Sequence, residues 1–113
     1  MSVAELVITD TLIGEGLEPS KGALVFAHYE GFLEDGTKFD SSHEKGKPFQ
    51  FVFGVGRVIK GWDQGLVGMK VGGKRTLHVP AHLAYGERQI GAFIKPHSNL
   101  IFHIELLEVR PRE

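Results

Sequence analysis

Cysteine is absent from the 113 residues, and that one absence excludes disulfide staples, thiol catalysis and cysteine-ligated zinc. An excess of either charge is also missing. Thirteen Lys and Arg stand against 14 Asp and Glu, a formal net charge of −1, whereas a nucleic-acid partner would call for a basic surplus. Long apolar runs are lacking too. The longest, Ala23-Leu24-Val25-Phe26-Ala27, falls far short of the ~20 residues of a membrane-spanning helix. The opening Met1-Ser2-Val3-Ala4-Glu5-Leu6 has neither a basic n-region nor an apolar h-region, so the expected compartment is the cytoplasm, with no membrane partner.

What is present suits one small domain. Apolar residues make up 42% of the chain, enough for a single core without staples. The 15 glycines show no repeat and punctuate short β-prone stretches, which points to tight turns. Val3 to Thr9 is the first such stretch, followed by a loop through Gly22. From Ala23 to Leu33, Val25, Ala27 and Tyr29 alternate with Phe26, His28 and Glu30. Asp35-Gly36 predicts a hairpin into Lys38-Phe39-Asp40, since both turn residues tolerate positive φ. Ser41 to Pro48 is a polar bulge or loop, and Phe49 to Phe53, Lys74 to Val79 and Asn99 to Val109 are further strands, the last with Leu100, Phe102, Ile104 and Leu106 on one face. Between Val58 and Val67, Ile59, Trp62 and Leu66 form the stripe of one amphipathic helix. Gly61 and Gly65 each cost it ~1 kcal/mol relative to Ala, so packing must hold it. The expectation is an α+β domain of residues 1–113, with 1–22 an N-terminal strand and loop and the remainder core. About five antiparallel strands carry the helix across one face.

Motifs for phosphate, metal or nucleophilic chemistry do not hold. Gly68-Met69-Lys70-Val71-Gly72-Gly73-Lys74-Arg75 approaches a phosphate-binding loop, but Arg75 stands where a hydroxyl is needed and a strand follows instead of a helix. Pro80 blocks the helix that would align His78 with His82, and the other four histidines are scattered, so no metal site is expected. Ser41-Ser42 beside His43 fit turn capping better than a triad. The aromatics are more informative, because Tyr29, Phe39, Phe49, Trp62, Tyr85 and Phe102 come from separate elements. Core packing is the ordinary account of each; an apolar pocket is the alternative.

Taken together, several runs resemble the FKBP-type peptidyl-prolyl cis-trans isomerases. They are Val25–Gly31, Leu33–Ser42, Lys47–Phe51, Val58–Leu66, Met69–Gly72, Leu83–Gly86 and Leu100–Leu107, in order and with family-like spacing over nearly the whole chain. The resemblance implies a strongly bent antiparallel sheet wrapped around one short helix, with the ligand pocket between them. It places Trp62 as the pocket floor, Tyr29, Phe39, Phe49 and Phe102 as aromatic walls, and Val58 and Ile59 at one side. Tyr29, Asp40, Tyr85 and Ile59 are then the candidate catalytic residues, the Ile59 N–H and Tyr85 hydroxyl facing ligand carbonyls. Phe93 and Ile94 belong to an overhanging loop. The implied function is cofactor-free rotation of X-Pro bonds in peptides and unfolded proteins; the alternative is a weakly catalytic proline-binding module. Tacrolimus and rapamycin are the expected macrolide ligands. Lys45 replaces a frequent Arg, Arg57 stands where an acidic residue is common in eukaryotic members, and Ile90, Phe93 and Lys95 alter the overhang.

Overall fold

The long central strands order everything else, because their strict alternation decides which side chains enter the core. In the computed structural model, which describes residues 5–112, the elements run β1 (Val7–Leu12), β2 (Leu24–Leu33), β3 (Lys38–Ser41), β4 (Phe49–Val52), α1 (Lys60–Gly65), β5 (Lys74–Val79), a 3-10 turn (Ala81–Leu83) and β6 (Leu100–Arg110). Every pairing is antiparallel, and the order across the sheet is β1-β5-β6-β2-β3, with β4 also on β2. There are six strands rather than about five, for a simple reason. Two short strands share one edge of β2: β4 pairs with its first half (Leu24–Ala27) and β3 with its second (Glu30–Phe32). The loop from Ser42 to Pro48 separates them, so the sheet is still five positions wide.

Register shifts between Asp10 and Leu12, Phe26 and Ala27, and Gly31 and Phe32 interrupt the ladders. Such bulges are where a sheet bends. Val25, Ala27 and Tyr29 of β2 and Leu100, Phe102, Ile104 and Leu106 of β6 are all buried, as alternation predicts. The Asp35-Gly36 hairpin forms too, but only Gly36 has positive φ (92°), while the Asp35 carboxylate accepts the Thr37 N–H at 2.9 Å. The β-prone start at Val3 begins outside the described residues, and within them β1 continues past Thr9. Among the described residues no helix is long and apolar enough to cross a membrane.

The helix is shorter than its apolar stripe. Ile59 is extended (φ −59°, ψ 150°) and Leu66 leaves the helix at φ −95°, ψ 0°, so Val58, Ile59 and Val67 lie outside it. Its two glycines explain how it survives. A Cβ on Gly61 would stand 2.4 Å from Val79 Cγ1, and one on Gly65 2.7 Å from Leu77 Cδ1. The helix backbone therefore rests directly on β5, and tertiary contact outweighs poor propensity. Gly61→Ala should consequently destabilise the protein by about 1–3 kcal/mol although Ala is the better helix former, because overpacking outweighs propensity. A urea melt reads this directly, and a midpoint at or above that of the wild type would contradict the seating.

Candidate active site

Nine residues named from the sequence meet around one cavity of about 180 Å³: Tyr29, Phe39, Asp40, Phe49, Val58, Ile59, Trp62, Tyr85 and Phe102. They arrive from β2, β3, β4, β6, α1 and two loops, which is why no single motif announces the site. Arg57 completes the lining and was not foreseen as a site residue. Ile94 and Phe93 do not join it. Ile94 is buried in the core and pairs with Ile90 through two backbone hydrogen bonds (2.8 and 3.2 Å). Phe93, half exposed, lines a neighbouring depression that shares Phe39 and Asp40.

Trp62 lies at the bottom, only 4% exposed, and meets the rings of Tyr29, Phe49, Phe51 and Phe102 edge-on at 5.1–5.8 Å between centroids. Edge-to-face packing of this kind sets an aromatic ring at a fixed angle. The indole Nε1 is buried and finds no acceptor among the described residues. The floor is thus an indole held edge to face by four neighbouring rings.

Polar groups sit at the side, and the one carboxylate in the lining, Asp40, is already occupied. Asp40 Oδ2 accepts the Tyr29 hydroxyl at 2.5 Å, while Oδ1 accepts the Ser41 N–H at 2.9 Å and faces Lys45 Nζ at 3.0 Å. Burial pushes the Asp40 carboxyl upward, but these bonds and the Lys45 charge outweigh it and leave its pKa below the usual 3.8. Tyr29 moves the other way: burial first, then its bond to Asp40, raise its hydroxyl above the usual 10. Tyr85 is also raised, by burial and then by the Asp40 charge, with Arg88 partly offsetting. All three therefore keep one protonation state across neutral pH.

The two donors at the rim are free. Neither the Ile59 N–H nor the Tyr85 hydroxyl has an intramolecular partner among the described residues. Each is held in place by its own frame. Asp63, in the first turn of α1, accepts the N–H groups of Gly54 (2.9 Å) and Gly56 (3.0 Å), whose φ values near 79° only glycine adopts cheaply. That carboxylate fixes the loop leading to Val58 and Ile59. A Gly-x-Gly loop followed by an early helical Asp was the available signal. The Tyr85 segment is tied by Gly86 N–H to Ala81 O (2.8 Å) and His97 N–H to Gly86 O (2.7 Å). Ser42, buried, accepts the Tyr29 N–H at 2.8 Å and contacts His28 Nδ1 at 2.8 Å, so it pins Tyr29 as a structural residue.

A second depression, about 290 Å³, lies on the opposite sheet face among His28, Glu30, His43, Thr76, His103 and Glu105. It is larger, but it has no Phe, Tyr or Trp wall and its imidazoles are engaged with hydroxyls or each other. Of the two, the smaller cavity is the one walled by Tyr, Phe and Trp rings.

The comparisons with known proteins agree with this geometry. The family model described as FKBP-type peptidyl-prolyl cis-trans isomerase matches residues 16–107, and the chain belongs to that family. An FK506-binding protein of Neisseria meningitidis serogroup A is 50% identical over 107 residues, covering 95% of this chain and 98% of the relative. The chloroplastic peptidyl-prolyl cis-trans isomerase FKBP13 of Arabidopsis thaliana is 48% identical over 95% of this chain and 57% of its own length. The crystal structure of AtFKBP13 superposes with a TM-score of 0.87 at 47% identity, covering 95% of this chain and 94% of that one.

Proposed function

We propose that the aromatic cavity is where this FKBP-type isomerase turns X-Pro bonds, by stripping water from the amide as it twists. The planar peptide bond is held by resonance, and rotation costs ~18–20 kcal/mol because that resonance is lost. The twisted amide carries less separated charge than the planar one. An apolar enclosure of Trp62, Tyr29, Phe49 and Phe102 disfavours the planar form more, and differential stabilisation of this kind is catalysis. No bond breaks, so no nucleophile or acid–base pair is needed. The single observation that carries the reading is a cavity walled by aromatic rings and bearing two unpaired donors at its rim. The Ile59 N–H and the Tyr85 hydroxyl bind carbonyls on either side of the rotating bond. Asp40, its oxygens spent on Tyr29, Ser41 and Lys45, is a positioning residue. The substrates are proline-containing peptides and unfolded chains, and the compartment proposed is the cytoplasm. The same cavity is the proposed seat for tacrolimus and rapamycin.

The test is an isomerisation assay on an Ala-Leu-Pro-Phe peptide across pH. Asp40 titrates below 3.8 and both tyrosines above 10, so kcat/KM should be flat from about pH 5 to about pH 9. Because the Asp40 pKa is depressed by folding, its contribution to stability is complete above pH ~4 and is lost as pH falls through the folded value. Tyr85→Phe should lower kcat/KM about three- to tenfold, the value of one rim hydrogen bond, without moving the melting point. Turnover equal to buffer would leave the proline-binding module as the better account.

A further inference from the structure

Beside the cavity lies a groove of about 600 Å³ that shares Arg57, Val58, Ile59 and Tyr85 with it. Beyond the shared residues the groove is lined by Lys60, the first residue of α1, and by His82 and Arg88 from the segment after β5. Three permanent cations therefore border one opening of a chain whose overall charge is −1. No carboxylate lines that groove, and Arg57, Lys60 and Arg88 form no ion pair among the described residues. The nearby carboxylate of Asp63 is committed to the Gly54 and Gly56 N–H groups. All three cations are exposed, so they are hydrated and cost little to keep, and they are unspent.

A peptide whose proline sits over Trp62 must leave the cavity through an opening, and the Ile59 N–H and Tyr85 hydroxyl that grip its carbonyls lie on the wall common to cavity and groove. We propose that this groove is a subsite for the residues flanking proline and that it selects segments carrying anionic side chains, carboxylates or phosphorylated hydroxyls. The inference rests on the isomerase reading above and adds the substrate class. Charges at a rim act chiefly through association and ground-state binding, are screened by salt, and discriminate by repelling like charge as well as attracting opposite charge. A lysine-rich segment is therefore rejected by the same three side chains.

The experiment compares kcat/KM for peptides sharing one Leu-Pro bond and flanked by Glu, Gln or Lys, at low salt and at about 0.5 M salt. At low salt the Glu peptide should exceed the Lys peptide roughly tenfold, with Gln between, mostly through KM; high salt should close the gap. The Lys60→Gln/Arg88→Gln double variant should shrink the Glu-to-Lys gap to about threefold or less. A phosphoserine in place of Glu identifies which anion gains more, and a gain for neither overturns the proposal. Equal kcat/KM for the Glu, Gln and Lys peptides, with the Gln peptide still turned over, overturns the subsite and leaves the isomerase reading intact. No turnover of any of the three peptides overturns both.

Discussion

Trp62→Ala should lower the unfolding free energy by about 3–5 kcal/mol, the range for truncating a buried large aromatic. The indole is 4% exposed and four rings lean on it edge-on, so its removal leaves a void that those rings cannot close without leaving their own contacts. At this chain length the midpoint of a thermal melt should fall by more than about 10 °C. Activity should fail separately from stability. At a temperature where the variant is still folded, the floor proposed to orient the proline ring is gone, and kcat/KM should drop at least about tenfold. Trp62→Phe separates the two effects, since it keeps part of the packing and narrows the loss of stability. Wild-type turnover by a folded Trp62→Ala protein would show that the chemistry lies elsewhere.

Arg75→Met should cost about 3 kcal/mol or more, a large effect for a residue that touches no part of the cavity. The guanidinium, 7% exposed, donates Nη1 to both Gly65 O and Val67 O at 2.8 Å. Its Nε and Nη2 meet the Asp10 carboxylate at 2.6 and 3.3 Å. It thus satisfies carbonyls at the end of α1, where the intrahelical ladder runs out, and ties them to β1. Methionine fills the volume but leaves these acceptors and a half-buried carboxylate unpaired. Asp10→Asn, which keeps the helix carbonyls satisfied, should cost clearly less. Equilibrium urea unfolding of the two variants checks the order, and equal losses would mean the ion pair, not the carbonyl caps, dominates.

Arg75 also shows what a linear motif conceals. In sequence it is the residue that spoils a phosphate-binding loop; in space it is a buried clamp reached from β1 through a contact 65 positions away. Alternation made β2 and β6 legible residue by residue, since period-two burial is a local property. The aromatic lining was legible only as a set matched against a family, because its members come from six separate places in the chain. Helix length was overestimated because an apolar stripe records burial, and Ile59 is partly buried while extended. The split edge of β2 could not be read locally, for nothing in Lys38–Ser41 or Phe49–Val52 says that both find the same partner. Asp63 and Arg57 escaped for a related reason. A single charged residue beside a glycine turn has many ordinary explanations, and only its distances show that one braces the loop and the other faces the cavity.

The two notches in which α1 rests constrain how such a protein can change over generations. Since Gly61 and Gly65 press main chain against Val79 and Leu77, the depth at which the indole lies is set by a contact that an added carbon would strain. Drift or engineering cannot make the hollow shallower or deeper by exchanging those helical side chains. Novelty has to come from the margins, which leaves the lineage free to alter what it greets while conserving what it does.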